Sequence, residues 1–148
     1  VEDRQTSITI LMADDDEDDC MLAREALTES NWQHQIHFVK DGEELMDYLY
    51  QRGKYANSKN APLPALILLD LNMPKKDGRE ALVEIKVNPT FKHIPVVVLT
   101  TSKAEEDIEL AYNLGANSFI IKPVTFASLV EVMKTIGKYW FEIVQLPY

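Results

Sequence analysis

The residues best suited to chemistry in this chain are carboxylates. The stretch "ADDDEDDC" (13–20) sets six of them in a row directly behind the apolar run "ITILM". Adjacent anions repel, and each makes the next harder to ionise. A carboxylate, Asp70, closes a second apolar run, "ALILLD"; a hydroxyl, Thr100, closes a third, "PVVVLT"; and an ammonium, Lys122, closes a fourth, "SFIIK". As strands of one parallel sheet, these runs would bring Asp14, Asp15, Asp70, Thr100 and Lys122 to one rim. Paired carboxylates suit a hard divalent cation such as Mg2+, which takes oxygen ligands, keeps several waters and relieves the crowding of charge.

The elements that must position these residues are legible in the hydrophobic pattern. Five apolar runs (7–13, 35–39, 65–70, 95–100 and 118–122) read as strands, three of them near-continuous, as suits strands buried on both faces of a parallel sheet. Helical periodicity separates them over 18–29, 43–52, 79–86, 104–114 and 126–141. Asp41 and Asp77 are expected helix caps, Ser102 with Glu105 an expected capping box, and Gly115 an expected helix stop. Strand and helix alternate five times, which predicts an α/β fold: a doubly wound five-stranded parallel sheet, flavodoxin-like in its order 2-1-3-4-5, with helices on both faces. Ligands of such a sheet sit beyond the carboxyl ends of its strands. The reading is one domain over 1–148, with a long surface loop at 53–64 and an aromatic tail at 139–148.

Composition narrows the function. In 148 residues the net charge is −9, and the one adjacent basic pair, Lys75-Lys76, makes no patch, so nucleic acid is not an expected partner. No apolar run is long enough to span a membrane. A lone cysteine, Cys20, forms no internal disulfide and fits a reducing, cytoplasmic setting; beside the acid run its thiol should be raised in pKa and inert. His34, His37 and His93 offer no credible metal set, and Trp32 reads as a satellite packing residue. Asp16, Glu17 and Asp18 read as a solvated first helical turn.

The segments "ILMADDDEDD", "LILLDLNMPKKDG", "IPVVVLTTS" and "GANSFIIKPVT" resemble the receiver domain of two-component response regulators, and the likeness runs over nearly the whole chain. It implies that Asp70 accepts a phosphoryl group from a phosphohistidine on a sensor histidine kinase. Asp15 and Asp70 would ligate Mg2+, with Asp14 acting mostly through water and the Asn72 carbonyl completing the set. Lys122 would pair with Asp70 and then with the phosphoryl group, while Thr100 would bind a phosphoryl oxygen and move together with Phe119. Thr101 stands where many receivers carry alanine, and its bulk should slow small phosphodonors. A cis Lys122–Pro123 bond is typical of the family. Asp18 and Asp19 would face the kinase.

The long loop and aromatic tail are most similar to small stand-alone receivers serving phytochrome-type kinases. That likeness implies a switch that catalyses only its own phosphorylation and dephosphorylation. It would signal to an unknown downstream protein and form a homodimer through the tail, with Trp140 and Phe141 as anchors. The competing reading is a Mg-dependent phosphatase of the haloacid dehalogenase type, which also uses an aspartate nucleophile with Thr, Lys and an acidic pair. It wants a second acid two residues after the nucleophile, where this chain has Asn72.

Overall fold

The computed structural model describes residues 8–28, 35–57, 59 and 61–147. Its strands are β1 (Thr9–Ala13), β2 (Gln35–Val39), β3 (Leu66–Leu69), β4 (Val96–Thr100) and β5 (Ser118–Ile121). Its helices are α1 (Glu17–Thr28), α2 (Gly42–Tyr50), α3 (Gly78–Val87), α4 (Glu105–Asn113) and α5 (Phe126–Lys138). The strands are all parallel in the order β2-β1-β3-β4-β5, as expected. Side chains alternate across a strand, so each central strand feeds two cores. Ile10 and Met12 of β1 join α1 and α5 through Ala23, Ala26, Leu129 and Met133. Leu11 and Ala13 join α2, α3 and α4 through Leu45, Leu82 and Ala111. β1, β3 and β4 are buried at every position, which is why their sequences are continuously apolar.

The order reverses at β1, whose neighbours are β2 and β3, and this crevice is where such sheets bind ligands. Register then sets the rim. Ala13 pairs with Val39 and with Leu69, and Leu69 pairs with Val98. Asp14 and Asp70, each one residue past its strand, therefore start level: Asp14 N–H donates to Val39 O at 3.0 Å, and Asp70 N–H to Ala13 O at 2.9 Å. Lys122 N–H donates to Thr100 O at 2.8 Å.

Local signals mostly hold. Asp41 caps α2, accepting from Glu44 N–H at 2.8 Å, and Asp77 caps α3 in a full capping box with Glu80. Gly115 follows α4 with φ +106°, a backbone region that favours glycine. The expected box at Ser102 and Glu105 does not form. α4 starts from Ala104 without a side-chain cap, because the Ser102 hydroxyl donates instead to Asp107 Oδ2 at 2.6 Å. The helix expected over 126–141 keeps its α form only to Lys138 and closes in a π-helical turn, Tyr139–Ile143. Trp140 and Phe141 pack there against the α1–α5 core. The 53–64 loop is pinned to α2: Tyr48 OH donates to Pro62 O at 2.8 Å, Tyr55 OH donates to Glu44 Oε2 at 2.6 Å, and the two rings meet at a tilt with centroids 5.1 Å apart. Trp32 and His34 lie outside the described residues. No helix among the described residues is long and apolar enough to cross a membrane.

Candidate functional site

The rim gathers the predicted residues. Asp14, Asp15 and Asp70 each offer a carboxylate oxygen within 4.8 Å of the others'. Asp14 and Asp70 are buried; Asp15 is exposed. Around Asp70 the contacts divide by oxygen. Oδ1 accepts from the Thr100 hydroxyl at 2.7 Å and from Asn72 N–H at 3.0 Å. Oδ2 faces the Lys122 ammonium at 3.2 Å. The Asn72 amide also donates to Thr100 Oγ1 at 3.4 Å. Gly78, at the start of α3, closes the back of the site. A Cβ there would stand 2.2 Å from the Asp70 carbonyl oxygen, so only glycine lets α3 lie against the Asp70 backbone.

Asp19 belongs to this site rather than to the kinase-facing surface expected of it. It is 8% exposed, and its carboxylate lies 2.8 Å from Lys122 Nζ, the same distance as Asp14. The available signal was its spacing: Asp19 precedes Ala23 by four residues and Ala26 by seven, so it lies on the inward face of α1. Glu17 and Asp18 are exposed as expected, and Asp16 Oδ1 caps the helix by accepting from Asp18 and Asp19 N–H.

Carboxylates thus outnumber the single ammonium four to one. Burial pushes the Asp14 carboxyl up to about 6, against the pull of Lys122 and Asp16 N–H. Asp14 Oδ2 is buried with the ammonium as counter-charge and without a hydrogen bond of regular geometry. An under-compensated buried anion inside an all-oxygen donor set fits a divalent metal. Burial would lower Lys122, but Asp14, Asp19 and Asp70 reverse this and hold it above the usual lysine range. Burial first, then Asp14 and Asp19, push the Cys20 thiol up to about 12, so it is no nucleophile.

The remaining expectations are placed as follows. Phe119 is half-buried against the α2–α4 core, and its N–H donates to Tyr112 OH at 3.1 Å. Thr101 is exposed. His37 is bonded to Gln35 and meets the Tyr48 ring at a tilt, on β2 rather than among the carboxylates. No peptide bond among the described residues is cis, so Lys122–Pro123 is trans. A second network flanks the rim. Arg79 of α3 grips Asp107 of α4 through two bonds of 2.8 and 2.6 Å, and Asp107 holds Ser102, two residues beyond Thr100.

Comparison with known proteins agrees with this geometry. The chain is 46% identical over 138 residues to the response regulator Rcp1 of Synechocystis, spanning 93% of this chain and 92% of that one. The phosphorylated cyanobacterial phytochrome response regulator RcpA superposes with a TM-score of 0.92 at 46% identity, covering 97% of this chain and all of that one. The Mn2+-bound form of Rcp1 gives 0.89 at 44% identity, covering 95% and 99%. The family model of the response regulator receiver domain matches residues 10–134, and the chain belongs to that family.

Proposed function

We propose that the protein is a phosphorylation-controlled switch in which Asp70 accepts a phosphoryl group from a sensor histidine kinase, with Mg2+ as the resident metal. The observation that carries this reading is the Asp70 carboxylate, held by Thr100 and Asn72 on one oxygen and by Lys122 on the other. Asp14, Asp15, Asp70 and the Asn72 carbonyl would hold the metal. When bound, it supplies charge cancellation and alignment for the phosphoryl oxygens.

An Asp70 oxygen attacks phosphorus, an O–P bond forms, and the P–N bond to the kinase histidine breaks, its electron pair leaving with the imidazole. Lys122 shifts from Asp70 to a phosphoryl oxygen, and the Thr100 hydroxyl turns from Asp70 Oδ1 to another, drawing the 101–104 loop with it. Phe119 moves inward in response. The phosphatase reading is not favoured: receiver family membership excludes its chain order, and Asn72 stands where its second acid belongs.

The test is intact mass after incubation with Mg2+ and a small acyl phosphate. Wild type should gain one phosphoryl group and Asp70→Asn none. Labelling that persists in Asp70→Asn at a neighbouring aspartate, or a wild type that never labels, overturns the reading.

The kinase partner, phytochrome-type by the likeness to RcpA, and a cytoplasmic setting complete the proposal, as does a single receiver domain over 1–148. A homodimer is supported by the exposed Tyr139 and Ile143 beside a groove of about 360 Å3, lined by Ile120, Val132, Ile136 and Trp140. Because Trp140 and Phe141 already pack on their own domain, Tyr139 and Ile143 are better placed than they are as contact residues. Sedimentation across concentrations, with and without residues 139–148, should show a dimer lost on truncation. A protein that stays monomeric at high concentration removes this part.

A further inference from the structure

Asp19 differs from the other carboxylates at the mouth in one respect. It touches Lys122 and lies outside the three-carboxylate group of Asp14, Asp15 and Asp70. A lysine ammonium has three N–H donors, and here three carboxylates surround it: Asp14 and Asp19 at 2.8 Å and Asp70 at 3.2 Å. Two of the three have a second commitment. Asp14 and Asp70 belong to the metal group, and Asp70 is the phosphoacceptor in the function proposed above, on which this inference rests. As those two turn to a divalent cation, the buried ammonium loses their charge and meets a like charge close by. Asp19 has no such second commitment. Its place is fixed by α1, with its N–H on Asp16 Oδ1 and its helix turn packed inward.

We infer that Asp19 is a positioning residue for phosphoryl transfer: it is the counter-charge that Lys122 keeps, and it retains the ammonium at the site while Asp14 and Asp70 engage the metal. Lys122 then reaches a phosphoryl oxygen without first being recovered from solvent. A buried charge-assisted bond of this kind is worth enough to matter to the rate.

The experiment measures labelling rates with a small acyl phosphate at saturating Mg2+. Asp19→Asn should slow labelling about tenfold, with Mg2+ affinity, read by calorimetry, changed no more than about threefold. Glu17→Gln, the same charge change on an exposed residue of the same turn, should label at the wild-type rate. In a Lys122→Met background, where labelling is already slow, Asp19→Asn should have no further effect, because it acts through the lysine. A readout free of activity comes from the metal-free protein in chelator. The Lys122 ammonium protons should be visible in a nitrogen-correlated NMR spectrum of wild type and Glu17→Gln, and lost in Asp19→Asn. Asp19→Glu, which keeps the charge on a longer stem, should shift that resonance and label between Asp19→Asn and wild type; it serves as the test if Asp19→Asn is unstable.

Wild-type labelling in Asp19→Asn, equal slowing by Glu17→Gln, or further slowing in the Lys122→Met background overturns the inference. So does an Asp19→Glu protein with both wild-type rate and wild-type resonance. If wild type does not label at all, the phosphoacceptor reading fails separately, while the chelator spectra still decide whether Asp19 holds Lys122.

Discussion

Lys122 and Lys86 stand at opposite ends of the sheet, and both are drawn in from solvent. Lys122, past the carboxyl end of β5, is ringed by three carboxylates. Lys86, in the last turn of α3 near the start of β4, donates to two neutral carbonyls, Lys92 O at 3.1 Å and Ile94 O at 2.9 Å. No carboxylate among the described residues pairs with it. The consequence appears in their acidities. Burial lowers Lys86, whereas the anions overcome burial and raise Lys122. A close-packed glycine marks each end: Gly78 lies against the Asp70 backbone, and Gly115 against the Lys86 stem, 3.4 Å from where a Cβ would be. Dipoles can finish a loop, but only opposed full charges leave a site able to respond to a metal or a phosphoryl group.

Substitutions at the two ends should separate in order of size. Lys122→Met leaves buried carboxylates without their counter-charge, at a cost of about 3–5 kcal/mol in chelator. Labelling should fall to a slow residual rate, yet Mg2+ should bind more tightly because a like charge is gone. Melting with and without Mg2+ checks this, and a gap no wider than in wild type would break the charge account. Gly78→Ala forces a methyl group onto the Asp70 carbonyl, costing about 1–3 kcal/mol, and should slow labelling at temperatures where the protein is fully folded. Gly115→Ala places a side chain at φ +106°, costing about 1–2 kcal/mol, with labelling unchanged. Lys86→Met removes two bonds to carbonyls for about 1 kcal/mol or less, with neither labelling nor metal binding altered. Slower labelling in Lys86→Met or Gly115→Ala would mean that the two ends are not independent.

What the sequence disclosed follows from what is encoded locally. Continuous apolar runs in β1, β3 and β4 announce burial on both faces, and parallel register carries Asp14, Asp70, Thr100 and Lys122 to one rim without further information. Asp41 and Asp77 cap their helices because each meets an N–H within its own turn. The misreadings each turn on a partner outside the local pattern. Asp19 looks like one more acid of a solvated turn until Lys122, on another element, is beside it. Ser102 has the spacing of a capping box, but Asp107, already fixed by Arg79, takes its hydroxyl. The tail reads as a free aromatic surface because nothing local says that a π-helical turn will lay Trp140 and Phe141 on the α1–α5 core.

The bond from Phe119 N–H to the Tyr112 hydroxyl bears on how copies of this chain can meet. β5 is an outer strand of the sheet, and an outer strand invites a neighbour to extend it by backbone pairing. Here a phenol from α4 already fills that backbone donor. A second copy approaching this side would have to displace the phenol before it could continue the ladder. Contacts made by packed side chains are thereby favoured over a sheet running on through two molecules, and the border that would otherwise be sticky becomes selective.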